Sequence, residues 1–208
     1  LWHEFPYRQG KGCGSIVIMD WYNDSNHCPH RHNPCDIVDC LYKEKSLTDS
    51  EVKITTSNEG YQMTSKVISW LKSEGLVFTE VDDPKAQYHC VVNYPIHAKM
   101  SLDVVILHKR TDQLVIAASS TVASVHIDGM RELSSTQRDR FNMTFNLELL
   151  RSPTQFESIF EEGILKKFYI HYPIWNDGLS KDSFMKGLQS VHDSILLGQW
   201  ILQREFGQ

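Results

Sequence analysis

The feature that most constrains this chain is a pair of apolar runs near its middle. They are Val104-Val105-Ile106-Leu107 and Leu114-Val115-Ile116-Ala117-Ala118, separated by the polar stretch His108-Lys109-Arg110-Thr111-Asp112-Gln113. β-Branched residues on either side of a short polar loop predict an antiparallel hairpin at the centre of a sheet. The runs are continuous rather than alternating, which implies cover on at least part of both faces of that hairpin. With 208 residues, 41% of them apolar and 11% aromatic, the chain can build a core around it.

The segments that follow residue 60 supply the rest of such a domain. Met63, Val67, Trp70 and Leu71 recur at helical spacing and predict a helix over 62–74. Gly75 stands where a helix ends in the left-handed conformation, with Leu76 placed to fold back on the last turn. Strands are expected over 76–81 and 88–94, parted by the turn Asp82-Asp83-Pro84 and closed by Pro95. Beyond the hairpin, 121–130 reads as a continuation of the sheet, with Gly129 as punctuation.

Ser134 with Gln137 three residues on has the spacing of a capping box and opens a second helix that runs to about residue 150. Phe141, Phe145 and Leu149 form its apolar stripe, and Ser152-Pro153 ends it. Two more strands are expected over 155–160 and 165–174. In the second, Phe168, Ile170 and Tyr172 alternate with Lys167, Tyr169 and His171. The last helix starts at the N-cap Ser180, with Leu179 as a staple on Phe184. Phe184, Leu188, Val191, Ile195 and Leu202 line its buried face, and Leu197 and Trp200 widen that surface, as either a partner contact or tight packing in its own domain would. The expected fold is α+β, an antiparallel sheet with helices on one face, over residues 57–208. Residues 1–56 form an extension and linker, with candidate strands over 15–21 and 51–56.

Several of these segments resemble a known family. The helix Val67-Ile68-Ser69-Trp70-Leu71-Lys72-Ser73-Glu74-Gly75, the strand Val91-Val92-Asn93-Tyr94-Pro95 and the stretch Asn176-Asp177-Gly178-Leu179-Ser180-Lys181-Asp182-Ser183-Phe184-Met185 look like a mostly archaeal domain-of-unknown-function family. That family is similar in fold to type III secretion chaperones and to a related group of candidate bacterial regulators. The resemblance covers about residues 60–206. It implies a small α+β domain, often dimeric in the chaperone relatives, whose apolar surface binds unfolded segments of a client. It offers no catalytic residues to carry over, and it leaves out the first 50 residues.

Those first residues hold four of the five cysteines, Cys13, Cys28, Cys35 and Cys40. Cys28, His30, His32, Cys35 and Cys40, preceded by His27, bring thiols and imidazoles close enough in sequence to close a tetrahedral zinc site. The ligands expected are Cys28, His30 (or His32), Cys35 and Cys40, with Cys13 in reserve. The spacing C-x6-C-x4-C is not that of a zinc knuckle. Reduced cysteines with no special role therefore stand beside zinc as a reading, as do disulfides in an oxidising compartment. Cys90 reads as a small buried hydrophobe.

Nothing else in the chain reaches a catalytic pattern. The paired carboxylates Asp82-Asp83 and Glu161-Glu162 sit at turns with no base or nucleophile beside them. Gly10-Lys11-Gly12-Cys13-Gly14 lacks the spacing of a phosphate loop, and the sequon at Asn142 falls within a predicted helix. A net charge of −5 with no basic cluster argues against nucleic acid, and no apolar run approaches a membrane span. No signal-peptide pattern opens the chain, which says little by itself, and the expected compartment is the cytoplasm. The function expected is a non-enzymatic protein-binding or adaptor domain, chaperone-like and homodimeric. The alternative is a zinc-binding module with a structural, redox or regulatory role.

Overall fold

The computed structural model describes residues 53–96 and 100–207. The elements run α1 (Lys53–Ser73), β1 (Phe78–Glu80), β2 (Ala86–Asn93), β3 (Ser101–Leu107), β4 (Arg110–Thr121), α2 (Ser124–Glu132), α3 (Ser135–Leu149), β5 (Gln155–Glu161), β6 (Ile164–Trp175) and α4 (Lys181–Phe206), with a 3₁₀ turn at Asn176–Gly178 before α4. The six strands form one antiparallel sheet in the order β1-β2-β3-β4-β6-β5. The predicted hairpin is its centre. β4 departs from the predicted boundary, because the connection is only His108-Lys109 and the strand starts at Arg110. Thr111 and Gln113, expected in a polar loop, are buried strand residues instead.

All four helices pack on one side of the sheet. Successive strands place Cys90, Val104, Ile116 and Tyr172 in one register row, and Tyr88, Ile106, Leu114 and Ile174 in the next, so these side chains share a face. They join a single core with Met63, Val67 and Leu71 of α1, Met130 of α2, Phe141, Phe145 and Leu149 of α3, and Phe184, Leu188, Val191 and Ile195 of α4. Cys90 is among the fully buried members, and burial pushes its thiol up to about 12. The thiolate is thus suppressed, and the residue packs as a small hydrophobe.

The helix ends are held as their sequences predict. Ser134 Oγ accepts from the Gln137 N–H at 3.4 Å while Gln137 Oε1 accepts from the Ser134 N–H at 3.0 Å. Ser180 and Ser183 exchange the same two bonds at 3.1 and 2.9 Å. Gly75 takes φ +66°, and the Leu76 N–H reaches back to the Leu71 carbonyl at 3.0 Å, closing α1 with a Schellman motif.

Two expectations fail. The strand expected over 51–56 is replaced from Lys53 by α1, which runs unbroken through the boundary placed at 56/57. The sheet does not continue over 121–130. β4 stops at Thr121 and α2 begins at Ser124. The β-branched Val122, Val125 and Ile127 suggest a strand, but Ile127 and Met130 fall three apart on a helix and pack into the core. Gly129 is no break in the chain. A Cβ there would lie 2.9 Å from Phe206 Cδ1, so this glycine lets α2 meet the end of α4.

Candidate functional site

Two surfaces outside the common core carry chemistry. The first is the sheet face that no described helix covers. Its central row runs Val91, Asp103, Ala117, His171, Gln155, and the next row runs His89, Val105, Val115, Pro173. Asp103 is only 5% exposed, Val105 4%, Val115 6% and Ala117 2%. Ala86, Val105 and Leu107 make a small apolar cluster of their own on this side.

A histidine between two carboxylates lies in this face. His89 Nε2 donates to Asp103 Oδ1 at 2.9 Å, and Asp83 Oδ2 faces His89 Nδ1 at 3.4 Å. The turn after β1 holds Asp83 in place, with its Oδ1 accepting the Lys85 N–H at 3.0 Å. Burial by itself would lower the His89 pKa, but the hydrogen bond and charge of Asp103, with Asp83 behind, outweigh it and hold the ring above its ordinary value. Burial holds the Asp103 carboxyl above its usual range, with His89 opposing. Nε2 is thus hydrogen-bonded to Asp103, while Nδ1 faces Asp83 without a hydrogen bond. The arrangement favours the charged form of a largely buried ring. His171, across Ala117 from Asp103, has its Nε2 at 2.7 Å from Gln155 Oε1, and burial pulls it below its ordinary value.

The second surface is the outer side of α3. While Phe141, Phe145 and Leu149 point into the core, Met143, Leu147 and Leu150 stand outward at i, i+4 and i+7, exposed by 65%, 45% and 65%. Arg140 lies one heptad before Leu147, so the stripe adjoins a groove of about 410 Å³ between α3 and the end of α4, lined by Leu133, Arg140, Phe141, Ile201, Arg204 and Phe206. Of the two explanations for the wide apolar surface of α4, packing in its own domain accounts for Leu197. Leu197 packs against the core, and only Trp200 of that pair is left exposed.

Cys28, His30, His32, Cys35, Cys40 and Cys13 lie outside the described residues, as does the strand expected over 15–21. Among the described residues no group of three or more His, Cys, Asp or Glu side chains is arranged to hold a metal. Asp82-Asp83 and Glu161-Glu162 are at turns as expected, but Asp83 works with His89 and Asp103 rather than with Asp82. No described helix is long and apolar enough to cross a membrane.

Among solved structures, an uncharacterized protein from Methanothermobacter thermautotrophicus is similar to this chain. It shares 30% identity at a TM-score of 0.66, over 70% of this chain and 99% of that one. YbjN from E. coli aligns at 11% identity and a TM-score of 0.40, over 67% of this chain and 89% of its own. No curated protein matches. A family match spans residues 63–202, from the core residue Met63 of α1 to Leu202, the last buried residue of α4. The chain therefore belongs to the family described as uncharacterized conserved protein (DUF2299).

Proposed function

We propose that the domain is a non-enzymatic protein-binding module, chaperone-like in kind, that works as a homodimer through the outer face of α3. The observation that supports it is the stripe of Met143, Leu147 and Leu150. A helix that already buries one apolar stripe in its own domain turns a second toward solvent at the same spacing. Two copies of such a stripe are self-complementary about a twofold axis, which is the commonest way a soluble chain pairs with itself. The resemblance to dimeric chaperone relatives points the same way.

Light scattering at about 100 μM tests this reading. The expected result is a dimer for the wild type and a monomer for Met143→Glu/Leu147→Glu, with an unchanged thermal midpoint because both side chains are exposed. A wild type that stays strictly monomeric would sink it.

The zinc reading rests on the Cys28, His30, Cys35 and Cys40 cluster. It predicts one equivalent of zinc in the purified chain, lost on Cys35→Ser. Elemental mass spectrometry of both proteins decides it. A metal-free wild type of normal stability rejects it.

A further inference from the structure

We propose, in an inference that rests on the homodimer reading above, that β5 of one copy pairs antiparallel with β5 of the second across a twofold axis at Ser158. The two sheets then join edge to edge beneath the paired α3 helices. β5 is hydrogen-bonded to β6 on one side, and no described strand lies along the other. Alternate residues of such a strand turn their N–H and C=O groups outward along the unpaired edge. β1, at the opposite edge, has three residues, whereas β5 has seven. An edge of that length, with Phe156, Ile159 and Phe160 and no proline, is a template for another strand.

β5 fits a copy of itself in one register. A twofold axis normal to the sheet relates each residue to its own copy, so the pairing has to be centred on a single residue. Centred on Ser158 it uses the whole strand. Phe156 then lies opposite the partner's Phe160, Glu157 opposite the partner's Ile159, and Gln155 opposite the partner's Glu161. No two carboxylates meet. Centring on Glu157 sets that residue against itself, and centring on Ile159 sets Glu157 against the partner's Glu161. Like charges directly opposite destabilise a strand pair, whereas aromatic pairs stabilise it. The Phe156 and Phe160 rings pack on the helix-side core and are still only half-buried, so each has surface left for its opposite number. The register shift between Ile159 and Phe160 skips Lys166 of β6, so β5 itself alternates without a break.

α3 stands where this pairing needs it. Its Phe145 ring meets Phe168 of β6 at 5.3 Å, and its Asn146 Oδ1 accepts from Ser158 Oγ of β5 at 2.8 Å. Ser158 and Phe168 are directly opposite each other, so the helix lies over the β5–β6 pair. With strands about 4.8 Å apart, the twofold axis brings the second α3 to about 10 Å from the first, the distance at which helices pack. The exposed stripe leans the right way. Asn142 and Asn146 reach β5 and its turn, while Gln137 and Thr144 face the groove with α4. At about 100° per residue, Leu150 and Met143 follow Asn146 around the helix by about 40° and 60°, on the side away from that groove.

Photo-cross-linking of the full chain tests this. The Glu161 side chain is 69% exposed, so Glu161→p-benzoylphenylalanine places a reactive ketone at the strand end with little disturbance. In a mixture of light and heavy-nitrogen protein, the expected product is a hybrid adduct at dimer mass, joining position 161 of one copy to the peptide around Gln155 of the other. Interchain adducts confined to α3, or no interchain adduct, would overturn the proposal. Hydrogen exchange on the unmodified chain guards against a variant that fails to fold. Alternate amides of β5 should exchange at least about tenfold more slowly in the dimer than in the diluted monomer. A dimer whose β5 amides exchange as they do in the monomer overturns the strand pairing and leaves the α3 contact standing. A chain that is strictly monomeric at about 100 μM overturns both.

Discussion

Gly198→Val should destabilise the domain by about 2–3 kcal/mol, at the high end of what overpacking a core costs. A Cβ at position 198 would lie 2.6 Å from Cζ and 2.7 Å from Cε2 of Phe168. That ring is fully buried, and Phe145 meets it edge-on with centroids 5.3 Å apart, so it has no room to swing away. The contact recurs three helical turns earlier. A Cβ at Gly187 would lie 2.7 Å from Ile116 Cδ1 and 3.0 Å from Tyr172 Cδ1. These two glycines are what lets α4 lie directly on β4 and β6.

Alanine at 198 separates the two forces involved. In an open helix Gly→Ala gains about 0.5–1 kcal/mol, whereas here the same methyl runs into the ring and the net effect is a loss. Shrinking the ring should relieve it. In urea unfolding, Gly198→Ala combined with Phe168→Leu is expected to cost less than the two changes added separately, with a coupling of about 1–2 kcal/mol. Gly178→Ala, where no atom lies within 4 Å of the added carbon, is the control and should be near neutral. Strict additivity of the pair, or a stabilising Gly198→Ala, would show that α4 does not depend on this contact.

How much of this was readable beforehand depends on the range of the interaction. Signals confined to one turn or one helix face came through: the Ser134 and Ser180 caps, the left-handed Gly75, the Phe141, Phe145 and Leu149 stripe, and the hairpin placed at the sheet centre. Errors arose where tertiary burial overrode local composition. Thr111 and Gln113 look like loop residues and are buried strand residues. Val122, Val125 and Ile127 look like a strand, yet the last two belong to a helix whose partner is the distant end of α4.

The candidate surfaces divide in the same way. The outward stripe of Met143, Leu147 and Leu150 has the plain spacing of a helix face, so its signal is present in the sequence even though the inward stripe on the same helix masks it. The ion triad carries no such signal. Asp83 stands in a turn among other acidic residues, and His89 and Asp103 are fourteen residues apart. Only the diagonal register of β2 against β3 makes them neighbours. Nothing in their local spacing distinguishes them from solvent-facing polar residues.

That triad gives the domain a stability optimum near neutrality. His89 has a folded pKa raised above its ordinary 6.5. Its contribution is therefore complete below 6.5 and lost as pH rises through the folded value. Asp103 is raised as well, from 3.8, so its ionisation also opposes folding, at lower pH. His171 is lowered from 6.5. Its neutral form is the one the fold favours, and its contribution is lost as pH falls through the depressed value. The urea midpoint of the wild type should then peak close to pH 6.5 and decline on both sides, with His89 setting the alkaline limb and His171 part of the acid limb. His171→Gln should flatten the acid side alone. His89→Leu should do more. Leaving Asp103 and Asp83 without their cation is expected to cost about 3–5 kcal/mol at pH 7. It should also abolish the alkaline limb, and stability should return partly in acid as the stranded Asp103 carboxylate takes up a proton. Asp103→Asn, which removes the buried charge but keeps the shape, should cost less than His89→Leu and shift the alkaline limb toward 6.5. An alkaline limb that survives in His89→Leu, or a wild-type midpoint flat from pH 6 to 8.5, would mean that the buried pair is not what links the fold to pH.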